Sequence, residues 1–449
     1  MRTQATTSPK LTSSSPAQSS RWLTLITLLL IILLALTIRI ALTHQFVGLT
    51  SPPDAGAQPD QLDYELFAHR LATGQGYTLP NDSPTARRSP GTSLTLLPPY
   101  LIFGRSFAVA RIWLSLLSSL TIIPIYFICR YAFKPKLIAF IAALALALCP
   151  AHAYYPLHFV SETPFIFFFA LSLALTLAAI HNQQHNIKPT LSLHLTAGLS
   201  AGLAILSRGQ LIFAYPLFSI YIVYLAYLSH RHEQSLAPIL KPAATHLLAL
   251  MLILAPWVIR NTIQLHKPAL ATNVGHTLWG ANNKLLINDS IHQGSWLPTS
   301  RLSAEVSPLT GNEVQTDQQA HNNALTFIKN NPAFIAKLSI KKIAHLIIPF
   351  YTWPITENKT TALAFESTWL ITLLLILIAI PALLKSPPTP LTIITLLILL
   401  SLLFTTLIFY GSPRFRDGYL PLTIPLAALG FYNLIAHLIP KRFTSHTPQ

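Results

Sequence analysis

Apolar runs of bilayer length, broken by short polar connections, fill most of this sequence. Such runs lie at Trp22 to Leu42 and near 107–132, 137–153, 161–180, 192–207, 209–229, 243–260, 368–384, 390–410 and 419–438. A helix needs roughly 20 apolar residues to cross the hydrocarbon layer, and each run is near that length. The runs are continuous rather than alternating, which excludes a membrane β-barrel. Only 10% of the 449 residues are charged, against roughly 25% in soluble domains. The fold class is therefore all-α: a polytopic transmembrane helical bundle of about 10–12 spans.

The run from Trp22 is long for the core of a secretory signal, and no small-residue cleavage site follows it, so it reads as a retained anchor. Residues 1–21 read as a disordered cytoplasmic tail. Residues 22–260 form an N-terminal transmembrane module, 261–336 a polar outer loop region, and 337–440 a C-terminal transmembrane module. In the first outer loop, 44–91, Leu62, Leu66, Phe67 and Leu71 recur at helical spacing, which predicts a surface-lying helix. Thr92 to Phe103 carries Pro98-Pro99 and is too short to span, so it reads as a second surface-lying helix. Residues 337–354 set Lys337, Lys341 and Lys342 opposite Ile340, Ile343, Leu346 and Ile347.

Loop charges set the orientation. With the N-terminus cytoplasmic and 92–103 not crossing, Arg130, Lys134, Lys136, Lys188, Arg231, Lys241, Lys385, Lys441 and Arg442 all fall on the cytoplasmic side. Both termini are then cytoplasmic. The 44–91 loop, the 261–336 region and the turn Gly411 to Gly418 share the outer face. The net charge of +16 is spread over helix ends, which favours lipid phosphate and a membrane surface over nucleic acid. Cys129 and Cys149 lie in or beside apolar runs and read as core residues, and the 17 histidines form no ligand-spaced pair on a polar helix face.

Chemistry is concentrated on the outer face. Asp60 and Asp63 bracket the first turn of the surface helix, with Tyr64 beside them. A carboxylate held there among apolar groups and cations suits a general base. Arg87, Arg88, Arg208, Arg260, Arg414 and Arg416 sit at outer loop or span ends. Guanidinium grips phosphate with paired hydrogen bonds and keeps its charge. Arg208 and Arg260 also suit interfacial anchoring, and Glu162 suits the positive end of a helix. Arg414 and Arg416 lie against the positive-inside bias, which favours a binding role. No phosphate-cradling glycine loop is present, so a nucleotide donor is not expected.

The order of short motifs resembles the GT-C integral-membrane glycosyltransferases, the superfamily of protein O-mannosyltransferases and aminoarabinose transferases. The matching pieces are Asp60-x-x-x-Tyr64, Gly74-x-Gly76-Tyr77, Arg88-x-Pro90-Gly91, Ala110-Arg111, Ser161-Glu162-Thr163, Ser207-Arg208, Pro256-Trp257 with Arg260-Asn261, and Arg414-Phe415-Arg416. They extend over about residues 20–435. Arg88-Ser89-Pro90-Gly91 departs from the family's common Arg-Pro-Pro-Gly. The resemblance implies an inverting transferase of a bacterial inner membrane with a periplasmic active site. Its donor would be a polyprenyl-phosphate-linked sugar, and its acceptor a lipid, glycan or protein. Asp60 would be the base, with Asp63 the alternative, and Tyr64 and Glu162 would contact substrate. Arginines can take the charge-neutralising role of a metal, so none is required, although Asp54, Asp60 and Asp63 leave a divalent ion possible. The competing class is a lipid or solute transporter or flippase, which would show internal repeats and mid-membrane ionisable groups; no repeat is visible.

Overall fold

The computed structural model describes residues 16–56, 58–185, 187, 190–230, 236–356, 358–385 and 387–438. The tail residues 1–15, with Lys188, Arg231, Lys441 and Arg442 of the charge argument, lie outside the described residues. The described chain is helical, as expected. Residues 16–21 open the first helix instead of closing a disordered tail. In chain order the helices are α1 (Pro16–Phe46), α2 (Asp60–Ala72), α3 (Gly91–Phe103), α4 (Phe107–Leu120), α5 (Ile122–Ala132), α6 (Lys136–Leu148) and α7 (Pro150–Tyr154). Then come α8 (Glu162–Gln184), α9 (Leu191–Ser207), α10 (Tyr215–His230), α11 (Ala237–Leu265), α12 (Val274–Ala281), α13 (Leu285–Asn288) and α14 (Thr299–Glu305). The last are α15 (Glu313–Asn330), α16 (Pro332–Ile347), α17 (Lys359–Lys385), α18 (Pro390–Ile408), α19 (Pro413–Asp417) and α20 (Leu420–Leu438).

Eight described helices are long and apolar enough to cross a membrane, α4 and α5 together making one. A ninth span forms if α6 and the segment to Leu157 count as one span bent by 52°. Pro150 supplies the bend, because it cannot donate back along the helix. The chain is a multi-pass membrane protein. α9 has 17 residues and falls short of spanning length.

Close crossings depend on small residues, as membrane packing requires. Gly198 and Gly202 of α9 bring it against the α11 backbone at His246 and against Ile253. Gly430 does the same for α20 against Leu375 of α17. Two arginines are fully buried inside the bundle with no carboxylate partner among the described residues. Arg39 donates to Ser118 Oγ at 2.7 Å, to the Ala35 and Ala147 carbonyls, and meets His152 Nδ1 at 2.7 Å. It thus satisfies polar groups around the Pro150 bend. Arg111 donates to the carbonyls of Leu49, Ser51 and Leu157, and so ties the start of the 44–91 loop to the bent segment.

The polar 261–336 region is a folded cap rather than a loop. α12 to α16 enclose a small core of Leu278, Trp279, Leu286, Leu297, Leu302, Ala320, Ala324 and Leu338. Asn312 and Gln315 form a reciprocal cap that starts α15. Two acids one helical turn apart on α15 attach the cap below. Glu313 accepts from Thr85 Oγ1 (2.6 Å), the Ala86 amide (2.8 Å) and Thr272 Oγ1 (2.7 Å). Asp317 accepts from the Gly275 and His276 amides at the head of α12 and from Lys267 Nζ. At the far side Lys342 of α16 is fully buried and donates to Asn282 Oδ1 (2.8 Å) and the Leu407 and Ile408 carbonyls, closing the end of α18.

Candidate active site

α2 and α3 pack together beneath this cap. The buried face of α2 carries Tyr64, Phe67 and Ala68, while Leu62 stays exposed. That face turns the first residue of α2, Asp60, toward the ends of α8, α9 and α18. The three stretches that loop charges group on one side meet at this end of the bundle: Arg414 of α19 reaches Asp60, and Glu313 of the cap reaches Thr85 and Ala86.

A chain of ion pairs joins them. Asp60 Oδ1 meets Arg88 Nη2 at 2.7 Å, and Asp60 Oδ2 lies 3.5 Å from Arg414. Asp63 Oδ2 accepts from Arg88 Nε at 3.1 Å, and Asp63 also pairs with Arg87. Glu162, at the head of α8 and fully buried, sits between two guanidiniums, Arg208 Nη1 and Arg414 Nε, each at 2.5 Å. Burial works against the charge of Arg88, Arg208 and Arg414, yet the facing carboxylates raise all three above the usual arginine range. Burial likewise raises Tyr64 and Tyr410, so both remain phenols. Four arginines (87, 88, 208 and 414) face three carboxylates here, leaving one unit of positive charge.

A cavity of about 410 Å³ opens beside these groups. Its polar wall carries Asp60, Tyr64, Arg88, Arg208, Tyr410 and Arg414, and its apolar wall Ile212, Phe213, Leu270, Val274, Phe409 and Phe415. Phe213 of the segment before α10 and Phe404 of α18 face each other with ring centres 6.4 Å apart, both substantially exposed on the bundle's flank.

The sequence-derived candidates divide accordingly. Asp60, Tyr64, Arg88, Arg208 and Arg414 line the cavity, and Glu162 holds two of those arginines from behind. Asp63 and Arg87 pair with each other outside the lining. Arg260 donates to the Thr85 and Tyr77 carbonyls and lies 4.9 Å over Trp257, which makes it a clip on the 77–85 loop. Arg416 turns the other way, buried against Glu366 at 2.5 Å and over Trp369 at 4.8 Å. Arg414 and Arg416 stand two positions apart on α19, a turn of about 200° around a helix, so their side chains leave on opposite sides. The sequence does not mark Asp317 or Tyr410 as site residues; Glu313 carries one signal, its place in the first turn after the Asn312-x-x-Gln315 cap.

Among the described residues, no three His, Cys, Asp or Glu side chains come together as a metal site. Asp60, Asp63 and Glu162 face guanidiniums, and Asp54 accepts from the Gly56 amide.

Residues 88–259 match the family described as dolichyl-phosphate-mannose-protein mannosyltransferase. The Archaeoglobus fulgidus oligosaccharyltransferase with a tethered acceptor peptide superposes with TM-score 0.56 at 15% identity, over 94% of this chain and 51% of its own. The chain shares the membrane fold of that oligosaccharyltransferase. The oligosaccharyltransferase AglB from Archaeoglobus fulgidus, in complex with an inhibitory peptide and a dolichol-phosphate, gives TM-score 0.54 at 14% identity, over 96% and 53% of the two chains. An Archaeoglobus fulgidus oligosaccharyltransferase complex with Zn and sulfate gives 0.54 at 15%, over 92% and 49%. The chain thus spans about half the length of those structures. No curated protein sequence matches it. The matched family segment contains Arg88, Glu162 and Arg208; Asp60 and Arg414 lie beyond it and join them only through the fold.

Proposed function

We propose that this chain is a membrane glycosyltransferase. It moves a sugar from a polyprenyl-phosphate donor to an acceptor hydroxyl on a lipid, glycan or protein, with inversion at the anomeric carbon. The observation that carries the reading is the shared cavity: Asp60 and the Arg208–Arg414 pair face one space whose other wall is apolar. The surplus of one positive charge suits the single negative charge of a sugar phosphodiester. Ile212, Phe213 and Phe409 offer an apolar path for an isoprenoid chain entering from the bilayer. A dolichol-phosphate accompanies the archaeal AglB, which supports the same donor class here.

Asp60 Oδ2, the more loosely held of its two oxygens, accepts the acceptor's hydroxyl proton. The freed oxygen attacks the anomeric carbon, and the bond from that carbon to the phosphate oxygen breaks. The electron pair leaves with the phosphate, whose new charge Arg414 and Arg208 stabilise. Glu162 keeps both guanidiniums aimed. Guanidinium supplies the charge stabilisation in this arrangement. In the orientation favoured by loop charges, this chemistry lies on the periplasmic face of a bacterial inner membrane.

The test uses purified full-length protein and a radiolabelled polyprenyl-phosphate sugar. Asp60→Asn keeps size and hydrogen bonding but removes basicity. Transfer should fall at least the roughly 10²–10⁴-fold typical of general-base loss, with donor binding retained. Asp63→Asn should hurt less, because Asp63 does not line the cavity. Full activity in Asp60→Asn would remove the assignment, and a dead Asp63→Asn beside it would transfer the role to Asp63.

A further inference from the structure

A second groove, about 650 Å³, lies at the opposite end of the bundle, between the start of α1, the end of α5, the start of α6 and the end of α8. Leu25, Leu28, Tyr126 and Phe127 form its apolar walls, and Arg21, Arg130 and Lys136 its rim. Among the described residues no acid lines it. Tyr126 and Leu28 are buried at its floor, while Leu25 and Phe127 are open on its flank. Arg130 Nη1 donates to the Lys134 carbonyl at 3.0 Å, which holds the guanidinium at the rim. From Arg21 to Phe46 the first helix rises roughly 37 Å at about 1.5 Å per residue. This groove therefore faces the other membrane surface from Asp60.

Basic residues at this end already satisfy the positive-inside bias, but that bias asks only for charge near span ends. Here the fold does more. It brings Arg21 on one helix and Arg130 and Lys136 on two others around one apolar slot whose depth runs along the spans. Charge at headgroup level above an apolar slot at acyl-chain level is the complement of a phospholipid, and basic pockets between spans on this side bind anionic headgroups.

We propose that this groove is a binding site for one anionic phospholipid, with its phosphate on Arg21, Arg130 and Lys136 and an acyl chain along Leu25, Leu28 and Phe127. The site is separate from the donor cavity and does not depend on the transferase reading.

Native mass spectrometry of the full-length protein, with phosphatidylglycerol or phosphatidylcholine added, tests it. Phosphatidylglycerol should be retained roughly tenfold to a hundredfold more tightly than phosphatidylcholine, given three basic contacts. Arg21→Gln/Arg130→Gln/Lys136→Gln should abolish that preference. Leu25→Trp, which fills the slot and leaves the rim intact, should weaken retention at unchanged melting temperature, and it decides the matter if the triple variant does not fold. Equal retention of the two lipids, undiminished binding in the triple variant or in Leu25→Trp, or displacement of the lipid by inorganic phosphate would each overturn the proposal.

Discussion

Arg414 and Arg416 are two residues apart and have opposite fates. Arg414 spans Asp60 and Glu162 in the cavity; Arg416 is sealed between Glu366 and Trp369. Arg414→Ala should raise the donor KM or lower kcat, at roughly 1.5–3 kcal/mol per charged hydrogen bond lost. Steady-state kinetics with the labelled donor checks it. Arg416→Ala instead leaves the buried Glu366 carboxylate without its cation, with only the Phe350 amide still donating to it, which should cost roughly 3–5 kcal/mol of stability, read as a lower melting temperature. If Arg416→Ala changes the donor KM at unchanged melting temperature, the division between the two is wrong. The sequence groups both in one loop, which its charge asymmetry predicts to be an outer one, because that asymmetry is a property of single loops. It could not separate them, because Glu366 is 50 positions away and its pairing exists only after α17 and α19 pack. Arg208 and Glu162 were legible as span-end charges, but not as partners, for the same reason.

At the scale of elements, the membrane helices were readable because hydrocarbon imposes one length and one composition. The cap was not. α12 to α16 are polar in sequence, and their shared core holds only a few apolar side chains, so periodicity is weak. What attaches this cap to the site is Glu313, which holds Thr85, Ala86 and Thr272 together. These residues lead into different parts of the cavity wall: Arg88 follows Ala86 by two residues, and Thr272 sits between Ala271 and Asn273 of the lining. Glu313→Ala should therefore lower kcat/KM by tenfold or more, on the basis of about 1.5–3 kcal/mol for each bond to a charged group. It should also expose the chain at Arg87 and Arg88 to trypsin. Glu313→Gln, which retains one acceptor oxygen, should recover part of both. Unchanged proteolysis in the alanine variant would show that the loop stands without this support.

For the whole molecule, the two ends of the bundle differ in kind. One gathers Asp60, Glu162 and their arginines under the cap; the other carries Arg130, Lys134, Lys136, Lys241 and Lys385 at helix ends. Loop charges assign the first to the outside. The native Cys129 and Cys149 are buried, so single cysteines introduced at the exposed Asn81 and Asn312 can be read cleanly. Both should react with an impermeant maleimide from the periplasmic side, and a cysteine at Lys134 should not. Labelling of Asn81 and Asn312 from opposite sides would mean that α3 crosses the membrane.

α9 adds a constraint of a different sort. Its 17 residues give roughly 26 Å at about 1.5 Å per residue, less than the ~30 Å hydrocarbon thickness. Arg208 follows directly at its end and points into the charged cavity. A helix that stops early leaves a hydrophobic mismatch: the leaflet must thin there, or water must descend to meet it. With its first residues at the opposite hydrocarbon boundary, α9 ends short of the near one and sets the cavity floor beneath the level at which headgroups float. A phosphate that reaches Arg208 has to sink out of its own leaflet plane, so the elasticity of the surrounding lipid becomes part of the binding energy.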